Sequence, residues 1–219
     1  MTTPTPINRE IKNWQSRLIN IATANSMEDG AHDLNHLHRV WNTAHVLLKE
    51  HAEADALVVL AACYLHDLVN LSKNDPQRHL ASRQAAVKAC AALDLIDFPS
   101  DKLSAVAHAI EAHSFSAGIL AQSIEAQIVQ DADRLDALGA VGLARLFYTA
   151  GRMESSLAHP SDPMALQREM DDKRYALDHI EVKLATLPPT MNTVAGRQLG
   201  EDRLEWLRNF RDTFVAEWG

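Results

Sequence analysis

The chain has 219 residues, 47% of them hydrophobic, with 8 Gly, 8 Pro and 2 Cys, a composition that excludes fibres, disulfide scaffolds and disordered tails. Its 21 Lys and Arg against 29 Asp and Glu give a net charge of −8, and no basic cluster tracks a phosphate backbone, so extended nucleic acid is excluded as a partner. The longest apolar run, 56–65, is half of the roughly 20 residues that a membrane-spanning helix needs, and no membrane association is expected.

Period-2 alternation is scarce, whereas Ala and Leu recur at three- and four-residue spacings, which predicts an all-α helical bundle. Without repeats or a Gly/Ser-rich linker, one domain over 1–219 is expected, with a core at about 30–150 and C-terminal helices at about 163–218 packing on it. A boundary near 151–165 is the alternative. The start, MTTPTPINRE, lacks a charged-then-apolar signal pattern, and Cys63 and Cys90 read as free thiols of a reducing cytoplasm.

A first helix is predicted from Ile7 to Ala24, and Asp33 as N-cap of a second that carries Trp41 and Val46 to Leu48. The third is the most apolar, running after Asp55 through LVVLAACYL into His66 and Asp67. Asp75-Pro76 announces a fourth over RHLASRQAAVKACAAL, and Ser100 opens another towards His113. One long helix is expected from Ile124 to Tyr148, with Gly139 and Gly142 thinning one face. Asp162-Pro163 repeats the start signal, and Leu187-Pro188-Pro189 breaks the path before the last helix. That helix carries Leu204, Leu207, Phe214 and Trp218 on one stripe and Glu201, Asp202, Arg203, Arg208 and Asp212 away from it.

The eleven histidines nearly match the aromatic residues in number, and histidine is the commonest metal ligand and proton carrier. His66-Asp67 closes the most apolar helix, where a carboxylate must find solvent, hydrogen bonds or a cation. His36 on the second helix and an acidic group of Asp131, Asp133 and Asp136 on a later one are suitable companions. Two imidazoles and two carboxylates form a mixed N/O set suited to one divalent ion: Mn, Fe, Co, Ni, Zn or Mg. Cys63, one turn before His66, reads as a buried thiol.

The order His36, then His66-Asp67, then Asp133 resembles the H…HD…D pattern of the HD-domain superfamily, metal-dependent phosphohydrolases on an all-helical fold. HxxRVW at 36–41, CYLHDLV at 63–69, KNDPQR, HSFS at 113–116, QDADRLDALGA at 130–140 and DDKRYALDH at 171–179 are similar to the small bacterial YedJ-type HD proteins. The resemblance implies hydrolysis of phosphate esters or anhydrides of a small molecule, commonly a nucleotide. Asp131 and Asp133, two apart on a helix, point about 200° from one another and cannot both serve one ion; the resemblance, in which the ligand Asp is followed two residues later by an apolar residue and then by Asp, selects Asp133, followed by Leu135 and Asp136.

His113 is expected to contact phosphate, or to be a half-exposed helix-end histidine. Lys73, Arg78 and Arg134 are the cations placed to bind phosphate; solvated loop charge, or for Arg134 an acidic neighbour, is the other reading. Some nucleotide-cleaving relatives carry Glu three residues after the HD aspartate, where this chain has Asn70. The general acid or base therefore stays open among Asp67, Asp131 and His113. A second metal bound by His113 and perhaps His108 would make the protein similar to cyclic-dinucleotide phosphodiesterases, but their HHE and GYP motifs are missing. A non-catalytic nucleotide- or metal-binding module is the remaining reading.

Overall fold

A computed structural model of the chain describes residues 6–25, 34–69, 71 and 75–218. Among them there are helices and turns and no strand; an isolated bridge pairs Ser156 with Tyr175. Two compact units divide the chain, 1–133 and 134–219.

In the first unit α1 is Pro6–Asn25, α2 Leu34–Leu47, α3 Ala56–Leu65, α4 Ala81–Asp94, α5 Leu103–His113 and α6 Ile124–Asp136, whose last residues cross into the second unit. Helix α3 is the centre. Residues 57 to 65 are all buried, as a helix apolar on every side must be, and α1, α2 and α5 pack around it while α4 packs on α5. The Asp55 carboxylate starts α3 by accepting from Leu57 N at 3.0 Å and Val58 N at 3.3 Å, so the expected N-cap is present. Asp33, the expected cap of α2, lies outside the described residues.

Two expected helices are corrected. The span from Ile124 to Tyr148 is broken into α6 and α7, Gly139–Arg152. Gly139 has φ +72° at the break, a conformation that L side chains avoid. A Cβ on Gly142 would stand 2.2 Å from Ala137 O, so this glycine lets the turn close against α7. Asp162-Pro163 starts no helix: Asp162 accepts from Leu166 N and Gln167 N, both at 2.9 Å, and Ala165 at φ +53° turns the chain away. Asp75 likewise caps a turn, accepting from Gln77 N at 2.7 Å, and α4 proper begins only at Ala81 after a 3₁₀ turn over Arg78–Leu80.

The second unit holds α7, the short α8 at His179–Val182 and α9 at Val194–Trp218, with α7 packed on α9. Leu204 and Leu207 are buried as the stripe predicts, and Phe147 contacts Phe210 and Phe214. Arg203, expected to face away, instead donates to Leu135 O at 2.5 Å and is half-buried. The irregular stretch before α8 is held by Arg168, whose Nη1 and Nη2 donate to the two Asp178 oxygens at 2.6 and 2.8 Å. No helix among the described residues is long and apolar enough to cross a membrane.

Candidate metal centre

The apolar helix α3 must release its last carbonyls to some donor. His66, the residue after it, does this with its ring: Nδ1 lies 3.0 Å from Cys63 O. The carbonyl can only accept, so Nδ1 carries the proton and Nε2 keeps its lone pair, a tautomer assigned from the hydrogen bond. His113 repeats the device at the end of α5, with Nδ1 2.5 Å from Ile110 O. Both rings are buried, as is His36 on α2.

These elements bring three residues named from the sequence into one cluster. His36 Nε2 and His66 Nε2 stand 3.2 Å apart, and Asp67 Oδ2 lies 3.6 Å from the first and 3.5 Å from the second. His36, His66 and Asp67 could hold a metal ion, since one ligand atom from each lies within 4.8 Å of the others. Asp133 on α6 brings Oδ1 to 3.5 Å from His36 Nε2 and 3.7 Å from His66 Nε2. His113 borders the group, its Nε2 3.9 Å from Asp67 Oδ1 and its ring centroid 4.7 Å from that of His66.

The donor set fits a divalent cation. Ligand atoms about 2.1 Å from a common ion stand about 3.0 Å apart at octahedral angles and about 3.4 Å at tetrahedral ones, and the 3.2 Å between the imidazole nitrogens falls between. Two ring nitrogens facing one another with two carboxylates beside them favour a shared positive charge. Without an ion a proton takes that role. Burial opposes a charge on His66, but Asp67 and Asp133 outweigh it and carry its pKa up to about 9. Burial works against both carboxylates as well, and the histidines around them overcome it and hold Asp67 and Asp133 below the usual carboxylate range. His113 goes the other way: burial, then the neighbouring His66, lowers it.

The other expected residues fall as follows. Asp131 is fully buried two residues before Asp133, turned about 200° from it around α6. Arg78 flanks the cavity beside Asp67 and donates from Nη1 to Leu71 O at 2.5 Å. Lys73 and Asn70 lie outside the described residues. Arg134 belongs to the second unit, where Nη1 donates to Thr190 O at 2.8 Å and lies 3.2 Å from its Oγ1. Asp136 pairs with Arg145 at 2.7 Å. His108 Nε2 accepts from Gln122 N at 3.0 Å. Cys63 serves through its carbonyl, and burial pushes its thiol well above the ordinary range. Ser114, within the HSFS motif, and Ser82 line the cavity beside Asp67; Ser82 has no motif around it, and a serine among small residues carries no spacing signal.

Residues 33–138 match the family model of the HD domain. The uncharacterized protein YpgQ of Bacillus subtilis (strain 168) is 33% identical over 207 residues, covering 92% of this chain and 88% of the relative. Among solved structures, an HD-superfamily hydrolase from Bacillus thuringiensis superposes with a TM-score of 0.73 at 27% identity, over 95% of this chain and 98% of the other. The structure of B. subtilis YpgQ in complex with ADP matches with a TM-score of 0.65 at 28% identity, over 95% of each chain.

Proposed function

The chain belongs to the HD-domain family, and from that premise we propose that it is a divalent-metal-dependent phosphohydrolase cleaving phosphoester or phosphoanhydride bonds of a small molecule, a nucleotide. The observation that carries the reading is that Asp67 Oδ2 and Asp133 Oδ1 each lie 3.5 to 3.7 Å from His36 Nε2 and His66 Nε2, which are 3.2 Å apart. The ADP held by YpgQ supports a nucleotide as the substrate class. The free thiols of Cys63 and Cys90 support a reducing, cytoplasmic setting.

His36, His66, Asp67 and Asp133 would hold one ion. When bound, a divalent ion supplies Lewis-acid activation of water and of a phosphoryl oxygen. The protein supplies the rest. Cys63 O and Ile110 O fix the tautomers of His66 and His113, so both Nε2 atoms present lone pairs. His113, outside the four ligands and 3.9 Å from Asp67 Oδ1, is the group that takes up or returns a proton, its lowered pKa favouring the neutral base. Asp131 is less suited because its full burial separates it from any substrate. Arg78 meets the phosphoryl oxygens, where charge-assisted bonds are strongest.

Chelator-stripped protein is expected to lose hydrolysis in a screen of nucleotides, sugar phosphates and pyrophosphates, and to regain it with Mn²⁺ or Co²⁺. Asp67→Asn is expected not to be rescued. Turnover independent of metal, or an Asp67→Asn variant with full rate and metal content, refutes the proposal. Nucleotide-induced melting shifts without phosphate release would instead mark a binding module, and two ions per chain would favour the phosphodiesterase reading.

A further inference from the structure

Beside the candidate metal centre lies a small cavity, about 50 Å³, whose polar lining is Asp67, Arg78, Ser82, His113, Ser114 and Ser116. One of these groups lacks a partner. Ser82 is 2% exposed, and its Oγ has no hydrogen-bond partner among the described residues. A buried hydroxyl left unsatisfied lowers stability, and its retention needs an explanation such as a ligand.

The surroundings specify the charge of that ligand. Ser82 is the second residue of α4, a fourteen-residue helix that starts without a side-chain cap, and helix starts favour anions. Arg78 adds a guanidinium at the same turn. Ser114 and Ser116 share one hydrogen bond of 3.0 Å between their hydroxyls, which leaves one hydroxyl proton of the pair for a ligand. Asp67 contributes the only carboxylate among the described lining residues, at the end that meets the candidate metal centre. The described lining groups that can bond a ligand are three hydroxyls, one guanidinium, one imidazole and one carboxylate. Hydroxyl and guanidinium donors suit phosphoryl oxygens.

We propose that this cavity is a second phosphoryl subsite in which Ser82 Oγ donates to the phosphate adjoining the one at the metal centre, selecting phosphoanhydrides over monoesters. The inference rests on the phosphohydrolase reading, and its test reads binding so that the two can fail separately.

Calorimetric titration of the Mn²⁺-loaded protein with inorganic tripolyphosphate and with orthophosphate compares wild type, Ser82→Ala and Ser116→Ala. Ser82→Ala is expected to weaken tripolyphosphate at least tenfold and orthophosphate less than twofold, with Mn²⁺ stoichiometry unchanged. Its ligand-free melting temperature is expected to equal or exceed that of wild type, because an unsatisfied hydroxyl has been removed. Ser116→Ala, at the exposed rim, is expected to weaken tripolyphosphate in the same direction. Unchanged tripolyphosphate affinity in both variants, equal weakening of both anions, or a melting temperature of Ser82→Ala well below wild type overturns the proposal. A protein that hydrolyses nothing but shows the tripolyphosphate difference keeps the subsite and loses only the activity.

Discussion

Replacing Asp133 by Asn tests whether this carboxylate belongs to the metal shell. The substitution keeps shape and removes one negative charge from a group 3.5 and 3.7 Å from the two imidazole nitrogens. Loss of even an outer-sphere partner lowers metal affinity about 10–100-fold, so a hundredfold loss is a modest expectation for a direct ligand. With Mn²⁺ at about 100 times the wild-type Kd, binding stabilises the wild type by about 2.7 kcal/mol. At about 2–4 °C per kcal/mol for a chain of this size, its Tm rises by about 5–11 °C. A hundredfold weaker variant sits at its own Kd and gains about 0.4 kcal/mol, or about 1–2 °C. Thermal melts with and without Mn²⁺ measure both increments, and calorimetry gives the two affinities. Asp131→Asn is the control: its buried side chain sets the metal-free Tm, while the metal-dependent increment should persist. Equal increments in wild type and Asp133→Asn would refute the assignment, and loss in Asp131→Asn alone would exchange the two roles.

Two stability predictions follow from the second unit. Asp178, 4% exposed, receives both Arg168 nitrogens and Asp171 N at 2.7 Å; Asp178→Asn is expected to cost about 3 kcal/mol, the low end for breaking a buried pair because Arg168 keeps some solvent contact. Chemical denaturation reads this, and a loss below about 1 kcal/mol would mean that the fork holds nothing. Glu181 is held below the usual carboxylate range, chiefly by its bond from Arg208 and then by Arg211. A depressed folded pKa means stability present above the unfolded value of about 4.3 and lost as pH falls through the folded one. The gap in urea midpoint between wild type and Glu181→Gln should therefore be flat from pH 7 to about 5 and shrink below; a gap that widens in acid contradicts the pairing.

Legibility in the sequence followed from whether one residue's chemistry was decided locally. Helix α3 could be read because it is apolar on every side and Asp55 captures the amides of its own next residues. The same reasoning failed at Asp162, where amide capture is equally real but the chain turns at Ala165 and is drawn to Asp178 through Arg168, a contact between residues ten apart that no cap signal contains. The break between α6 and α7 was hidden for a related reason. Gly139 and Gly142 look like a thinned helix face until Ala137 O is found where a Cβ on Gly142 would sit. Arg203 was assigned outward by its charge, yet its long side chain reaches Leu135 O, sixty-eight residues away.

The side chains of the candidate metal centre were legible because His66-Asp67 closes the most apolar helix, where a carboxylate needs a partner, and because the order His36, His66-Asp67, Asp133 resembles the HD pattern. The last carbonyls of α3 and α5 have no amide of their own helix to bond, and a histidine placed just after or at the helix end can supply one N–H through Nδ1, as His66 does for Cys63 O and His113 for Ile110 O. That bond turns Nε2 of each ring outward as a base. The C-terminal ends of both helices carry partial negative charge, which adds to Asp67 and Asp133 in favouring a cation at the point where the Nε2 atoms of His36 and His66 meet. Residue type and order thus point to the cluster, whereas Ser82 needs the fold: only its burial without a partner marks it, and burial is a property of the packed chain.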